Sequence, residues 1–252
     1  MVSWDELRGN ANVWPGRLGR KWMTDWEWQE SFYLDDRAKA GGWETVLEIL
    51  RPDNHLVNIN QWLPGSKLRS TVLHRAAGNL APADVIEALL GLGAFRSQPN
   101  SDGLTAYEIA NNDPKIRKKI GESVLELLKP PPSPINAERR TAINAYLGEA
   151  LDWWFGDILG YSNPRAVLCY PPVEVLHEPP GQELWMQQPS PPGGVRVMLR
   201  RGYLEVLMGF REFPESGVRV VTYGCVVTEF GWAKVYESDS TTTFQADPLD
   251  GA

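Results

Sequence analysis

Histidine and cysteine are the residue types best suited to proton transfer and nucleophilic attack, and this chain of 252 residues has three histidines and two cysteines. His177, in the run Val-Leu-His-Glu, is the one serious candidate for proton transfer. Pairing it with Cys225 as a nucleophile would require a third group to orient the imidazole. Cys225 stands in a valine-rich segment, where a buried structural cysteine is the simpler interpretation. We therefore assign no catalytic residue from the sequence.

Motifs that hold cofactors or metals are missing from the sequence. The pair Gly193-Gly194 precedes a predicted strand, so it does not place a helix N-terminus against a phosphate. The chain has no Gly-x-Ser-x-Gly and no His-Glu-x-x-His motif, and its cysteines and histidines do not have the spacing of a zinc site. The sequence therefore predicts neither a cofactor nor a metal site.

The charge and the apolar content of the chain limit the kinds of partner that we expect it to bind. The chain has 25 basic and 32 acidic residues, a net charge of −7, which argues against a nucleic-acid-binding protein. Most of this excess lies in residues 131–252, and such acidity fits a basic partner or simple solubility. The start of the chain does not resemble a secretory signal, and no apolar run approaches the roughly 20 residues that span a bilayer. We expect a cytoplasmic protein that binds neither nucleic acid nor a membrane.

A repeated segment dominates the first half of the chain. The run Thr-Val-Leu-His-Arg-Ala-Ala begins at Thr71, and a related run places Thr105 in the same position 34 residues later. An apolar helical segment and an Asn-Ser-Asp-Gly turn lie between them. Residues 71–103 closely resemble an ankyrin repeat, with Val72 in place of the usual proline. The resemblance gives His74 a structural role, in which its imidazole holds neighbouring loops together.

Two weaker copies flank this repeat. Residues 104–129 are similar, with Glu108 in the position of the histidine, and an earlier copy begins near Phe32 and carries an insertion near residues 61–69. In the later copy, Asp113 and Pro114 predict the start of a helix, with aspartate as the N-cap. The resemblance therefore implies three ankyrin-type helix pairs over residues 31–129.

The segments around the repeats differ in composition. Residues 1–30 form a predicted aromatic cap over the open side of the first repeat, because they contain five of the eleven tryptophans: Trp4, Trp14, Trp22, Trp26 and Trp28. Residues 130–135 are rich in proline and predict a short, stiff linker.

Residues 136–252 predict a second, smaller domain. Apolar residues recur at four-residue steps over residues 136–159, which indicates one helix, and alternating or short apolar runs after residue 173 indicate four to six strands. The sequence thus predicts an α+β protein, with an aromatic N-terminal cap, three ankyrin-type helix pairs, and a domain of one helix and a mostly antiparallel sheet.

Contact with a protein partner is the function that these features favour. In ankyrin proteins the loop tips and inner helices form a concave binding face, and the resemblance assigns to that face Trp62, Lys67, Arg69, Ser70, Asn79, Ser101, Asp102, Leu104, Asn112 and Asp113. We expect a non-enzymatic protein-binding module, with an inhibitor or immunity-type protein as one form of it.

The alternative is an enzyme or a small-molecule binder that uses the second domain. It would place His177 as acid or base beside an aromatic pocket lined by Trp153, Trp154, Trp185, Tyr203 and Phe210.

Overall fold

A computed structural model describes residues 12–18, 20–64, 66–214 and 217–243 of the chain. In this part of the chain, nine α-helices and a six-stranded, mostly antiparallel sheet are present. The α+β class predicted from the sequence is therefore confirmed. No helix in the same residues has the length and apolar composition needed to cross a membrane.

The first seven helices form a layered helical region. They are α1 Asp25–Ala40, α2 Trp43–Ile49, α3 Val72–Gly78, α4 Ala83–Gly91, α5 Ala106–Asn112, α6 Pro114–Ile120 and α7 Glu122–Leu128. In one layer, α3 lies between α1 and α5; in the other, α4 lies between α2 and α7. Three helix pairs, α1/α2, α3/α4 and α5/α7, are therefore stacked side by side, and α6 is an additional helix that packs on α5.

Threonine N-caps explain where the three helices of the first layer, α1, α3 and α5, begin. Thr24, Thr71 and Thr105 have extended backbone conformations directly before α1, α3 and α5. The hydroxyl of Thr105 accepts from the Glu108 N–H at 3.2 Å, while the Glu108 carboxylate accepts from the Thr105 N–H at 2.8 Å. This reciprocal arrangement satisfies donors that a helix N-terminus leaves free.

Small side chains allow the helices of the first layer to pack closely. Ala76 and Ala77 of α3 and Ala106 and Ala110 of α5 are almost completely buried. A polar contact adds to this packing, because Asp35 of α1 accepts from the Arg75 guanidinium of α3 at 3.1 Å. Close approach of α1, α3 and α5 is thus encoded by residue size.

His74 joins the second helix pair to the next loop. Its Nδ1 accepts from the Thr71 N–H at 3.1 Å, which leaves the proton on Nε2 to donate to the Leu104 carbonyl at 3.1 Å. Burial of the ring lowers the pKa of His74 to about 4, against a usual value near 6.5. The neutral imidazole is therefore the form that the fold requires.

The second half consists of one long helix on a sheet. Helix α8 (Ala137–Asp152) continues into a π-helical turn at Trp153–Ile158 and packs on β5 and β6, and α9 is the short helix Pro164–Val167. The strands are β1 Asn12–Trp14, β2 Glu183–Gln188, β3 Gly193–Leu199, β4 Leu204–Glu212, β5 Gly217–Thr228 and β6 Gly231–Thr243, in the order β1-β2-β3-β4-β5-β6. Each neighbouring pair is antiparallel except β1 with β2, which is parallel. The five strands of this half agree with the predicted four to six, whereas β1 comes from the N-terminal segment and α9 is a second, short helix that was not predicted.

The predicted aromatic N-terminal cap differs from the structure. Trp14 lies in the edge strand β1, is 1% exposed within the core of the second half, and donates from Nε1 to the Cys169 carbonyl at 2.8 Å. Trp22 packs against Tyr161, with ring centroids 6.0 Å apart. Trp26 is 72% exposed on α1, Trp28 contacts Phe32 of the same helix, and Trp4 lies outside the described residues. Trp14 and Trp22 therefore pack against the second half of the chain. The Trp14 indole can be buried there because its N–H donates a hydrogen bond.

We predict that His74 makes the unfolding free energy depend on pH. Because its pKa is lower in the folded chain than in the unfolded chain, the unfolded state binds the proton first as the pH falls. The contribution is fully present above about pH 6.5 and is lost between about pH 6.5 and pH 4, with a loss on the order of 3 kcal/mol.

Urea unfolding of the wild type and of His74→Asn at a series of pH values measures this contribution. The difference in unfolding free energy between the two should shrink as the pH falls through this window. His55→Asn, which changes an exposed histidine, should keep the pH dependence of the wild type. A constant difference between wild type and His74→Asn would contradict the role given to His74.

Candidate partner-binding site

Two exposed loops lie next to each other at one end of the helical region. We call Lys67, Leu68, Arg69, Ser101, Asp102 and Gly103 the loop ridge; all six residues are exposed, and they precede the N-termini of α3 and α5. Leu68 is 45% exposed between two cations. Four residues predicted to bind a partner, Lys67, Arg69, Ser101 and Asp102, lie on this ridge.

The two loops of the ridge are held together by hydrogen bonds. The Ser101 N–H donates to the Leu68 carbonyl at 2.8 Å. Within the second loop, the side-chain oxygen of Asn100 accepts from the N–H groups of Asp102 and Leu104, at 2.9 and 3.0 Å. The ridge is thus ordered by backbone and asparagine contacts, which leave the side chains at its tip directed to solvent.

Arg69 has a strained backbone conformation. Its φ angle is +49°, in the left-handed region that non-glycine residues rarely adopt. The cost is on the order of 1 kcal/mol. Arg69 also lines a cleft of about 290 Å³ with Arg165, Cys169 and Tyr170 of the second half. The ridge therefore adjoins a groove between the two halves of the chain.

Three other predicted partner-binding residues lie at the opposite end of the helices. Asn79 follows the C-terminus of α3, Asn112 is the last residue of α5, and Asp113 follows it. A seven-residue helix separates them from the ridge by about 10 Å. Asn79 donates to the Ala38 carbonyl at 2.9 Å, and Asp113 accepts from the Lys115 N–H at 2.8 Å as the N-cap of α6. The structure does not bring these residues together with the ridge.

Ser70 and Leu104 have internal roles. Ser70 is buried, its N–H donates to the Ser66 hydroxyl at 2.9 Å, and its carbonyl accepts from the Leu63 N–H at 2.9 Å. Leu104 is half-buried and its carbonyl accepts from His74. Their contacts position the ridge rather than extend it.

Trp62 was assigned to the partner-binding face, and the structure places its ring against another part of the chain. Its ring is half-buried and meets Trp14 edge-on, with ring centroids 5.4 Å apart. Trp14 in turn stacks on Phe95, at 6.5 Å. Trp62 therefore belongs to an aromatic contact that joins the helical region to the sheet, because two apolar rings are removed from water there.

The junction between the two halves also contains satisfied polar groups. The Glu178 carboxylate, from the segment before β2, accepts from the N–H groups of Arg96 and Ser97 at 3.0 and 2.7 Å. Asn60 accepts from the Phe95 N–H at 2.8 Å and donates to the Gly93 carbonyl at 2.9 Å. These bonds fix the loop after α4 against the sheet.

Sequence reasoning did not identify Asn60 or Glu178. Glu178 follows directly after His177, which was the residue considered as a possible acid or base. The loop that the Glu178 carboxylate contacts lies about 80 residues earlier, so the local sequence does not indicate the contact. For Asn60, the signal is the unusual density of amide side chains in the run Asn-Ile-Asn-Gln over residues 58–61. Amide side chains can replace missing backbone partners in a buried loop.

The residues considered for catalysis lie apart. His177 is half-buried, and its Nε2 lies 3.4 Å from the Pro131 carbonyl. Cys225 belongs to β5, whereas His177 lies in the segment before β2, and among the described residues no hydrogen bond joins their side chains. Burial raises the pKa of the Cys225 thiol to about 11, and that of Cys169 also to about 11. Both cysteines are therefore protonated at neutral pH and are poor nucleophiles.

Of the aromatic residues predicted to line a pocket, Trp154 and Phe210 lie in the core, whereas Trp153 and Tyr203 are half-buried. Trp154 is fully buried, packs against Phe210 at 5.8 Å, and donates from Nε1 to the Gln188 side chain at 3.3 Å. Trp185 lies on the opposite face of the sheet, over Gly194, where an added Cβ would come within 2.4 Å of its ring. These rings do not surround a common space.

A cleft lies between the N-terminal segment and the loop after α2. It has a volume of about 560 Å³ and includes Trp14, Trp62 and His55 in its lining. Arg17 there donates to Glu27 at 2.8 Å. Although burial favours the neutral acid, the bonds from Thr24 and Arg17 lower the pKa of Glu27. Arg17 and Glu27 in this cleft are thus already paired with each other.

Comparison with known proteins yields no match to a family model, to a curated protein or to a solved structure. Among the residues that the structure describes, no group of three or more histidine, cysteine, aspartate or glutamate side chains is arranged to hold a metal ion. The functional argument therefore depends on the geometry of the chain itself.

We predict that Glu178→Gln destabilises the protein by about 2 kcal/mol. An ionised carboxylate accepts both loop N–H groups, whereas an amide presents one acceptor and turns its NH₂ group toward a donor. Urea unfolding at neutral pH measures the loss. Glu149→Gln removes the same charge from an exposed position on α8 and should change the unfolding free energy by less than about 0.5 kcal/mol. Equal stability of the two variants would refute the role of Glu178.

Proposed function

We propose that this chain is a protein-binding module without catalytic activity, and that its partner contacts the loop ridge. In this proposal, α1/α2, α3/α4 and α5/α7 are three ankyrin-type repeats, and the sheet half is a second domain that supports them. Inhibition of another protein, as in an immunity-type pair, is one form that such a contact takes. The observation that carries the proposal is the pair of exposed loops tied to each other at Ser101 and Leu68.

Preorganisation is the first argument for this function. A partner that contacts flexible loops loses affinity because the loops must be ordered on binding. The bond from Ser101 to Leu68 and the two bonds to the Asn100 side chain already order these loops in the free protein. The tips are therefore ready to make contact at little cost in conformational entropy.

The shape and chemistry of the ridge favour a protein over a small molecule. Small ligands bind in concave sites that enclose most of their surface, whereas all six residues of the ridge are exposed to solvent. Leu68 offers apolar area, and Lys67, Arg69 and Asp102 offer charges of both signs around it. An apolar centre with a polar rim is the usual composition of a protein interface.

The backbone conformation of Arg69 allows a test in which binding and stability are separated. Arg69, Leu80 and Gln182 all have positive φ angles, a conformation that favours glycine. Glycine at this position would relieve the strain but would lose the guanidinium. Arg69→Gly is therefore a variant in which binding and stability should change independently.

We predict that Leu68→Ser and Arg69→Gly each weaken partner binding by at least about tenfold. The immobilised wild type is compared with each variant as bait in an extract of the native host, and the retained proteins are quantified by mass spectrometry. Purified partner is then titrated against each variant. Arg69→Gly should leave the unfolding free energy within about 1 kcal/mol of the wild type, because relief of strain offsets the flexibility of glycine in the unfolded chain.

Gln182→Gly is the matched control for Arg69→Gly. Gln182 is exposed, has a φ angle of +55°, and lies before β2, away from the ridge. This variant should retain the same partner with wild-type affinity. A host protein retained equally by all variants, or the failure of the wild type to retain any protein, would contradict the proposed function.

A further inference from the structure

Helix α6 interrupts the regular alternation of the helix pairs. In the second pair, the four residues 79–82 connect α3 to α4. In the third pair, the connection from α5 to α7 contains the whole of α6 (Pro114–Ile120). Because α6 packs on α5 and lies outside the two stacked layers, the stack does not require it.

The inserted helix is strongly basic. Four of its seven residues are cations: Lys115, Arg117, Lys118 and Lys119. The remaining 21 basic and 32 acidic residues of the chain give a net charge of −11, since 25 − 4 = 21 and 21 − 32 = −11. A compact cationic surface thus stands on an otherwise acidic protein.

Most of these cations lack an internal partner. Arg117 pairs with Glu122, at the start of α7. Lys115, Lys118 and Lys119 are exposed, and within the described residues no carboxylate pairs with them. The negative end of the helix dipole favours Lys118 and Lys119 by at most about 1 kcal/mol each, but Lys115 stands at the positive end, where a cation is disfavoured. Interaction with the helix dipole therefore does not account for the number of cations in α6.

The apolar residues of α6 face the protein. Ile120 is 7% exposed and Ile116 packs against the core of the helical region. Helices that bind a membrane surface instead keep an apolar face free to enter the lipid. The surface that α6 presents to solvent is therefore almost purely cationic.

We propose that α6 is a docking site for an acidic segment of a protein partner. The helix is about 10 Å long, which suits a short run of aspartate or glutamate side chains. A nucleic acid carries a charge about every 1.7 Å and would extend past α6 onto acidic surface. A short acidic segment meets the cations of α6 without that repulsion.

This site is separate from the loop ridge. The ridge precedes the N-terminus of α5, and α6 follows its C-terminus, so the two lie about 10 Å apart at opposite ends of one helix. Loss of binding at α6 would leave the proposed function of the ridge intact, and the reverse also holds.

A fluorescein-labelled peptide of four glutamates, which is about 13 Å long when extended, is the probe that tests this site. Its fluorescence anisotropy is measured with the full chain, with Lys115→Gln/Lys118→Gln/Lys119→Gln, and with Lys21→Gln/Lys129→Gln/Lys234→Gln. Both triple variants carry the same net charge, and the second changes three exposed lysines elsewhere. At about 50 mM salt, the α6 variant should bind at least about tenfold more weakly than the wild type, and the control within about twofold.

Further measurements make the result decisive. Wild-type binding should weaken when the salt rises to about 200 mM, because the contact is electrostatic. Glutamine has nearly the helix propensity of lysine, and circular dichroism checks that the triple variant is folded. The single variant Lys115→Gln removes only one of the three charges and serves as a milder change. Equal loss in the two triple variants, or no binding by the wild type, would overturn the proposal. Tighter α6-dependent binding of an oligothymidine or of vesicles rich in phosphatidylserine would overturn the choice of an acidic protein.

Discussion

The need to satisfy loop backbone groups buried between the helices and the sheet is the constraint on which the rest of this structure depends. A buried N–H without an acceptor costs on the order of 1–3 kcal/mol, and the loop after α4 has several such groups in succession. Asn60 and Glu178 supply acceptors to Phe95, Arg96 and Ser97 from opposite sides of the junction. The helical region and the sheet are therefore joined by specific polar bonds as well as by apolar contact.

This junction determines which surfaces remain available. The Trp62 ring packs against Trp14, and the backbone carbonyls of Ser70 and Leu104 accept hydrogen bonds from neighbouring segments. The side chains left at the tips of the same loops contribute little to the fold. Buried, hydrogen-bonded residues and exposed residues thus alternate within one loop, and the exposed ones are those for which we propose a contact with a partner.

Local patterns predicted the helices well. The repeated threonines Thr71 and Thr105, the paired alanines and the Asp113-Pro114 start all act over a few residues, and the structure has helices at those places. The first copy was predicted to begin near Phe32, whereas α1 already begins at Asp25, directly after Thr24. The role of Trp14 was not predictable in this way. Its strand pairs with residues 184–186, and a parallel contact between such distant segments leaves no local signal. The same reason hid the contact between Glu178 and the loop after α4.

Amide hydrogen exchange at residues 95–97 tests most directly whether the junction joins the two halves. If Asn60 and Glu178 hold these N–H groups as described, the amides of Phe95, Arg96 and Ser97 should exchange as slowly as those in the middle of β4, through global unfolding alone. Exchange at the rate of an exposed loop, while β4 stays protected, would show that the helices and the sheet separate freely and would contradict this account.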